Sequence, residues 1–316
     1  MWFWLRREQT PCRAAMTVEI LAPAKINLAL HITGKRDDGY HLLDSLVAFG
    51  PACDRLIFEP ADVLSLKITG PEAPSLSSGP ENLVLRAARL IFPQAGARIT
   101  LEKNLPVSAG IGGGSADAAA VIRGMMVLAN GQGNLGGLDE AQLSALGPEI
   151  WQLGADVPVC LWSRAARVGG IGEQVLFHKI PPVACVLVNP RVPLSTPQVF
   201  GALASKQNPP LPDVLPDFHD GSHLIDWLKD QRNDLEPPAR AMSPEIDRVL
   251  AALRELFGCA IARMSGSGAT CFGLFADADR AKYAALDLAN SYPHWWVEAG
   301  LLADRPEWLH LKDSDS

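Results

Sequence analysis

A glycine-rich segment at residues 109–120, AGIGGGSADAAA, stands directly before an alanine-rich run. Where such a loop leads into a helix, it presents unpaired backbone N–H groups and the positive end of the helix dipole. Glycine suits this position because it permits close backbone approach and positive φ angles. The segment therefore favours phosphate as its ligand. A tight turn that lets the helix pack closely on a sheet is the alternative.

Two common phosphate-binding motifs are excluded by the order of these residues. The loop is not a Walker A motif, because no Gly-Lys-Ser or Gly-Lys-Thr follows it. It is not a Rossmann fingerprint either, since Gly110 and Gly112 are followed by Ser115 where the third glycine should stand. Ser115 can cap the following helix, or its hydroxyl can reach a phosphate or a phosphate-bound metal.

A single carboxylate, Asp156, lies within the otherwise apolar run LGADVPVCLW. Burying a carboxylate is costly unless it is paired or hydrogen-bonded, so a residue in this position needs a partner. A carboxylate held in this way is available for acid–base chemistry. A helix N-cap or a turn aspartate ahead of Pro158 is the other interpretation.

Charge and composition narrow the classes of partner. The chain has 316 residues and a net charge of −7 with acidic and basic side chains interspersed, which disfavours nucleic acids and anionic membranes. No apolar run approaches the roughly 20 residues that a membrane-spanning helix needs. The six cysteines lie far apart with no C-x-x-C pair, so we expect reduced thiols in a cytoplasmic protein. At this length we expect two domains.

Alternation and turn residues predict the elements of the first half. The segment INLALHI at 26–32 alternates, with one face formed by Ile26, Leu28, Leu30 and Ile32 and the other by Lys25, Asn27 and His31. We expect a half-buried strand with a polar working face, followed by the turn TGKRDDG and a second strand, YHLLDSLVAF. PENLVLRAARLIF predicts a helix capped by Asn82, ARITLEKNLP a strand ending at Pro106, and SADAAAVIRGMMVLAN the helix after the glycine loop.

The second half mixes both kinds of element. LDEAQLSAL predicts a helix and VACVLVNP a strand, while the Pro-rich residues 206–223 predict a long surface loop. PEIDRVLAALREL and ADADRAKYAALDLANSY predict helices on either side of a strand and glycine turn, AIARMSGSGATCFGLF. Strands and helices without strict alternation indicate an α+β protein.

Three segments in this order resemble the GHMP small-molecule kinases: PAKINLALHITGKRDDGYH, LPVSAGIGGGSADAAA and RMSGSGATCFGLF. The resemblance runs from about Leu21 to Phe275. It implies a two-domain α+β fold, with an N-terminal ribosomal-S5-like domain, a C-terminal ferredoxin-like domain and the active site in the cleft between them. We place these domains at 17–167 and 168–316. Residues 1–16 are expected to be a disordered extension, with translation starting at Met1 or Met16.

The resemblance also implies ATP and Mg²⁺ as cofactors. Residues at the family's ATP-binding positions are Pro106, Gly110, Gly112, Gly113, Gly114 and Ser115. Ser115 is also the expected contact to the metal. By resemblance Asp156 is the base, and Lys25 keeps it ionised or acts on the substrate hydroxyl. Taken alone, Lys25 would be a solvated strand lysine, although it shares a strand face with Asn27.

Four shorter motifs, PAKINL…GYH, GADVP, GIGE and NDLE, resemble the branch of the family that acts on 4-diphosphocytidyl-2-C-methyl-D-erythritol. This implies a small-molecule substrate carrying a cytidine diphosphate, phosphorylated at its 2-hydroxyl in non-mevalonate isoprenoid synthesis. The matching substrate positions are Asn27, Tyr40, His41, Thr196, Phe200 and Gly268. In the family, Tyr40 and His41 correspond to residues that stack on cytosine and read its edge, and Phe200 to the second stacking face. The turn SGSGAT would face the diphosphate or the transferred phosphate.

Simpler interpretations of these residues stay open at this point. Phe200 could be core packing, the Tyr40–His41 pair surface decoration, and SGSGAT a tight turn into a strand. A GHMP kinase for homoserine or mevalonate, or a non-catalytic binding protein on the same fold, are the rival functions. The negative charge argues against an RNA-binding version. We expect a monomer or a weak homodimer.

Overall fold

The computed structural model describes residues 17–130, 147–304 and 309–312. Two β-sheets with helices packed on them form the described chain, and the α+β prediction is confirmed. The predicted extension at 1–16, the alternative start at Met16 and the helix predicted from LDEAQLSAL lie outside the described residues.

Seven strands of the described chain form the larger sheet. They are β1 (Thr17–Lys35), β2 (His41–Pro60), β3 (Ser65–Thr69), β4 (Ala97–Glu102), β5 (Ala166–Gly170), β6 (Gln174–Phe177) and β11 (Leu309–Lys312). The order is β11-β1-β2-β4-β3, and β2 is long enough to pair with β4 at one end and with β5, which pairs β6, at the other. The pairs are antiparallel except β3 with β4.

The strand predicted at 26–32 is longer than expected and is buried on both faces. Lys25, Asn27 and His31 are each at most 5% exposed, so the prediction of a half-buried strand is wrong. The second half of the chain covers this polar face: Asn233 bridges to Leu30, and the Pro209 carbonyl contacts the His31 ring. The strand from ARITLEKNLP ends at Glu102 rather than Pro106.

Three α-helices of the described residues pack against the larger sheet. They are α1 (Leu83–Ile91), α2 (Gly113–Asn130) and α3 (Val157–Trp162). The predicted cap of α1 is confirmed, because the Asn82 side chain accepts a hydrogen bond from the Val84 N–H at 2.9 Å. α2 lies very close to the sheet, since a Cβ on Gly124 would stand 2.3 Å from the Phe58 ring. The small residues of this run therefore permit the close packing.

The smaller sheet has four antiparallel strands in the order β10-β7-β9-β8. They are β7 (Val183–Asn189), β8 (Cys259–Met264), β9 (Cys271–Phe275) and β10 (Trp296–Leu302). Its helices are α4 (Thr196–Gly201), α5 (Gly221–Lys229), α6 (Glu236–Met242), α7 (Pro244–Glu255) and α8 (Ala278–Ser291). The strand at VACVLVNP, the glycine turn between β8 and β9 and the two flanking helices are as predicted.

The Pro-rich segment at 206–223 is only in part the surface loop that was predicted. Leu211 is buried within the core between the sheets, and α5 already begins at Gly221. The Arg167 guanidinium donates to the carbonyls of Pro212 and Asp213, both at 2.9 Å. The segment reaches the core because its backbone acceptors find donors on β5.

The predicted domain boundary at 167/168 falls within β5. Since β5 and β6 both extend the larger sheet, the chain changes sheets between Phe177 and Val183, and β11 returns to the larger sheet at the end. The division into 17–167 and 168–316 stays a prediction. Among the described residues, no helix has the length and hydropathy to cross a membrane.

Candidate active site

A cleft of about 1360 Å³ brings together nearly every residue that the sequence singles out. It is lined by β1, the β1–β2 turn, the glycine loop, the start of α3 and the start of α4. The predicted site residues in its wall are Lys25, Asn27, Tyr40, His41, Pro106, Gly110, Gly112, Gly113, Gly114, Ser115, Asp156, Thr196 and Phe200. Gly268 is the exception: Gly266 and Ser267 contribute to the wall from its turn.

The glycine loop carries the backbone geometry that phosphate binding needs. Gly110 and Gly112 have φ angles of +73° and +64°, which residues other than glycine rarely adopt. α2 begins at Gly113, and the Gly112 carbonyl accepts its first hydrogen bond, from the Ala116 N–H at 2.8 Å. The N–H groups of the first turn therefore have no acceptors within the helix and lie at the cleft. Ser115 is inside this turn, so it is not the N-cap.

A buried lysine supports the loop from behind. The Lys103 ammonium donates to Asp117 at 2.6 Å and also to Asp54, and all three residues are at most 3% exposed. Asp54 in addition accepts the backbone N–H groups of Asn104 and Leu105 at 2.6 and 2.8 Å. Burial raises the pKa of Asp117 above its ordinary value, against the opposing effect of the Lys103 charge. A Cβ on Gly113 would lie 3.3 Å from the Lys103 nitrogen, so the loop lies directly over this cluster.

Lys25 and Asp156 form the charged pair at the mouth of the loop. The Lys25 Nζ donates to the Asp156 Oδ1 at 2.8 Å, with the lysine buried and the carboxylate 40% exposed toward the cleft. Asp156 occupies the N-cap position of α3, but its side chain makes no capping hydrogen bond. The carboxylate is held instead by the lysine, which itself is fixed through the bond from its N–H to the Ile111 carbonyl at 2.9 Å.

The other end of the cleft contains two aromatic rings. The His41 and Phe200 ring centroids are 5.0 Å apart with 35° between the planes, and Tyr40 is 60% exposed beside them. The His41 Nε2 is buried with no hydrogen-bond partner among the described residues. Burial lowers the pKa of His41, and the charges of Lys35 and Lys206 lower it further, so the ring is neutral at neutral pH.

Polar side chains join this aromatic end to the glycine loop. Asn27 donates from Nδ2 to the Ser45 hydroxyl at 2.8 Å, while its Oδ1 is buried without a partner among the described residues. The Thr196 and Ser267 hydroxyls lie 2.7 Å apart. Gly268 stands behind this wall, and a Cβ placed on Gly110 would lie 2.7 Å from its backbone.

Two motifs that carry the resemblance, NDLE and GIGE (GGIGE with the preceding glycine), shape the backbone around the cleft, and Leu235 and Gly172 from them line its wall. In NDLE, Asn233 donates to the carbonyls of Met264 and Gly266, both at 2.8 Å, and Glu236 accepts the Met264 N–H at 3.0 Å. In GGIGE, a Cβ on Gly172 would lie 2.8 Å from the Ala155 carbonyl. The first motif thus shapes the 265–268 turn, and the second packs behind the residue before Asp156.

Comparison with known families settles what this assembly is. Family models named GHMP kinases N terminal domain and GHMP kinases C terminal match residues 82–164 and 215–294. The chain belongs to the GHMP kinase family. Two curated relatives are named 4-diphosphocytidyl-2-C-methyl-D-erythritol kinase. The one from Roseobacter denitrificans is 50% identical over 92% of this chain and 95% of its own length. The one from Paracoccus denitrificans is 54% identical over 89% and 96%.

Solved structures agree with this family membership. A crystal structure of 4-(cytidine 5'-diphospho)-2C-methyl-D-erythritol kinase is 36% identical, with a TM-score of 0.71 over 90% of this chain and 99% of that one. The mevalonate kinase from L. major superposes with a TM-score of 0.64 over 94% and 98% at 16% identity. The second likeness establishes only the shared fold. ATP use follows from membership of this kinase family.

The site of this GHMP kinase fits a nucleoside triphosphate with a hard cation. The free N–H groups of α2 suit phosphate oxygens, and the Ser115 hydroxyl is an oxygen ligand of the kind Mg²⁺ accepts. Asp117 lines the same wall with its Oδ1 buried and without a partner among the described residues. No cluster of three or more His, Cys, Asp or Glu side chains suited to a metal is found in the described chain. The Ser115 hydroxyl and the Asp117 carboxylate fit a metal whose other ligands are phosphates and water.

Sequence reasoning missed several residues that build the site. Lys103 and Asp117 form the buried cluster, Ser45 holds Asn27, and Lys35 lines the aromatic end. One signal was present: a charged residue amid small apolar ones, as Asp117 is in SADAAAV, needs a buried partner. The identity of that partner could not be read, because Lys103 lies 14 positions earlier, just beyond the end of β4.

Proposed function

We propose that this GHMP kinase transfers the γ-phosphoryl group of ATP to the 2-hydroxyl of 4-diphosphocytidyl-2-C-methyl-D-erythritol, a step of non-mevalonate isoprenoid synthesis. One observation carries the proposal: the cleft that holds the glycine loop and the 2.8 Å Lys25–Asp156 pair also holds the His41–Phe200 ring pair. Relatives at 50–54% identity bear the name of this kinase.

The chemistry assigned to these residues is positioning and proton transfer. The first turn of α2 binds and orients the phosphates of ATP through its N–H groups. Asp156 accepts the proton of the attacking hydroxyl, and the ammonium of Lys25 holds this carboxylate in place beside the loop. The Ser115 hydroxyl would hold Mg²⁺, which when bound would neutralise part of the phosphate charge.

Substrate selection is assigned to the aromatic end. A neutral His41 with an unpartnered Nε2 can bond the edge of a base, and Phe200 offers a face for stacking. Thr196 and Asn27, with Tyr40 at the rim, complete this wall, and Gly268 supports it from behind the turn.

The cationic side chains of the cleft support a diphosphate-bearing substrate. Of the three lysines in its wall, Lys25 is paired with Asp156 and Lys103 with Asp54 and Asp117. Lys35 has no carboxylate partner among the described residues, so its charge is available to an anionic group beside His41.

The setting we propose is that of a metabolic enzyme. The five described cysteines are free thiols, which supports the cytoplasm as its compartment. The net charge of −7 supports a protein without a nucleic-acid partner. We keep a monomer or a weak homodimer as the proposed state.

Coupled ADP release by the purified protein tests the proposal. The protein is incubated with Mg-ATP and 4-diphosphocytidyl-2-C-methyl-D-erythritol, and in parallel with homoserine and with mevalonate. We expect turnover with the cytidyl compound alone. Turnover with another alcohol would retain the kinase and overturn the base pocket. Silence with all three, together with retained ATP binding, would favour a binding protein on this fold.

A further inference from the structure

A fully buried arginine, Arg123, lies on α2 among small and apolar residues. Its Nη1 donates to the carbonyls of Cys160 and Leu161 at 2.8 and 3.0 Å and contacts the Ser163 hydroxyl at 3.3 Å. Its Nη2 donates to the Leu21 carbonyl at 3.1 Å. The guanidinium, which is carried by α2, therefore binds both α3 and β1.

These three elements are the ones that carry the reacting groups. Arg123 follows the phosphate loop along α2, and Leu21 precedes Lys25 on β1. Cys160 lies in the last turns of α3, and its N–H donates to the carbonyl of Asp156 at 3.1 Å. A continuous path thus runs from the guanidinium through Cys160 to the backbone of Asp156.

The helix that carries Asp156 needs such support. α3 has only six residues, and a helix this short is not stable by itself. The carbonyls of its last turn find no N–H donors within the helix. Arg123 and the Ser163 hydroxyl, which donates to the Cys160 carbonyl at 2.9 Å, satisfy that end.

We infer that Arg123 is a positioning residue that fixes the Lys25–Asp156 pair relative to the phosphate loop without touching ATP or the alcohol substrate. The inference rests on the proposed function, since it assumes that this pair serves the transfer. A displacement of about 1 Å at the reacting groups can lower a rate by about 100-fold, so the loss of a contact distant from these groups can strongly lower turnover.

Space filling alone does not account for a guanidinium at this position. Burial lowers the pKa of Arg123 to about 10, which still leaves it charged at neutral pH. Desolvating a charge is unfavourable, and an apolar side chain at this position would avoid that cost. What the guanidinium adds is a fixed fork of donors toward both α3 and β1.

The chain offers a matched control in Arg263. This arginine is also buried, has its pKa lowered to about 10 by burial, and donates to the carbonyls of Leu28, Leu228 and Gln231 at 2.7–2.8 Å. It makes none of these bonds to α3. Loss of its guanidinium should therefore destabilise the fold as Arg123→Met does, while α3 stays in place.

The experiment compares Arg123→Met, Arg123→Lys and Arg263→Met. Urea unfolding at the assay temperature first establishes that each variant is folded. Kinetics are then measured with Mg-ATP and the cytidyl substrate. We expect Arg123→Met to lower kcat by about 10- to 100-fold, with the KM for ATP changed less than about threefold. Arg123→Lys should restore part of kcat, and Arg263→Met should keep kcat within about threefold of the parent. Equal kcat in the two Met variants would overturn the inference.

A readout without catalysis separates this inference from the proposed function. In a crystal structure of Arg123→Met, or of Arg123→Gln if the first variant does not fold, the Lys25 Nζ to Asp156 Oδ1 separation is measured. A separation above about 4 Å, the limit for an ion pair, supports the inference even if the substrate assignment fails. A separation unchanged from 2.8 Å overturns it, whatever the rates.

Discussion

The Ser265 hydroxyl donates a hydrogen bond to the carbonyl oxygen of Gly110 at 3.2 Å and so joins the two glycine segments of the chain. The same hydroxyl accepts the N–H of Asn27 at 3.0 Å, and the Thr270 N–H donates to the Ala109 carbonyl at 3.2 Å. Segments separated by 155 positions thus form one backbone unit. The shape of the phosphate loop depends on the turn that lies against it.

Gly110→Ala should disrupt this unit. The new Cβ would lie 2.7 Å from backbone atoms of Gly268 and Ser265, at a φ of +73°. Gly39 is the control, because it has a φ of +92° but nothing within 4 Å of a Cβ. We expect Gly39→Ala to cost about 1 kcal/mol of unfolding free energy, and Gly110→Ala to cost more and to raise the KM for ATP. Equal unfolding midpoints in urea would contradict this expectation.

Asp156→Asn should lower turnover by about 100-fold or more while ATP affinity stays nearly unchanged. The amide cannot accept the hydroxyl proton, whereas the N–H groups of α2 that bind phosphate are untouched. Single-turnover kinetics and ATP titration by calorimetry give the two quantities. Asp226→Asn, an exposed exchange on α5, is the matched control. Near-normal turnover in Asp156→Asn would remove this residue as the base.

His41→Ala should raise the KM for the cytidyl substrate far more than the KM for ATP, because the lost contact concerns one ligand only. Phe200→Leu should act in the same direction and more weakly, since part of the apolar surface remains. Phe218→Leu provides the control, as this ring packs against Trp227 outside the cleft wall. Equal increases in both KM values would indicate a folding defect.

Lys35→Met should raise the pKa of His41 toward 6.5, because a nearby cation disfavours the imidazolium. Imidazole proton shifts in NMR titrations measure this, with Lys67→Met on β3 as the control. The sign for stability follows: the folded state binds this proton less readily than the unfolded chain. The His41 contribution is therefore full above pH 6.5 and is lost as the pH falls through the lowered value. An unmoved titration in Lys35→Met would refute the assigned electrostatic coupling.

Lys103→Met should destabilise the protein by about 3–5 kcal/mol, because it leaves the buried carboxylates of Asp54 and Asp117 without their cation. Asp54→Asn should cost more than Asp117→Asn, since Asp54 also accepts the N–H groups of Asn104 and Leu105. Urea unfolding at pH 7 orders the three variants. The reverse order for the two asparagine variants would show that these backbone bonds contribute little.

Local patterns were sufficient for elements that carry their own signals. Asn82 caps α1 as predicted, and the turn between β8 and β9 follows from SGSGAT. The short strands β3, β5 and β6 escaped prediction, because their pairing partners lie elsewhere in the chain.

The site divides in the same way. The glycine loop has a local signature, whereas the partner of Asp156 came from family resemblance and lies 131 positions away. Gly268 lies behind the cleft wall and not in it. Which residues of a turn face a cleft depends on what packs against the turn, and the sequence of the turn alone does not show this. The burial of β1 on both faces could not be read from its alternation, since the covering residues 209 and 233 belong to the other half.

The pairing of β11 with β1 has a consequence for biosynthesis. Thr17 is opposite Lys312, and Ile20 is opposite Leu309, so β1 finds this outer neighbour only about 290 residues later in the chain. At about 5–20 residues per second, that edge waits on the order of 15–60 s with its hydrogen-bonding groups exposed. During this interval the nascent chain presents, at residues 17–20, an open strand edge of the kind that pairs with other chains.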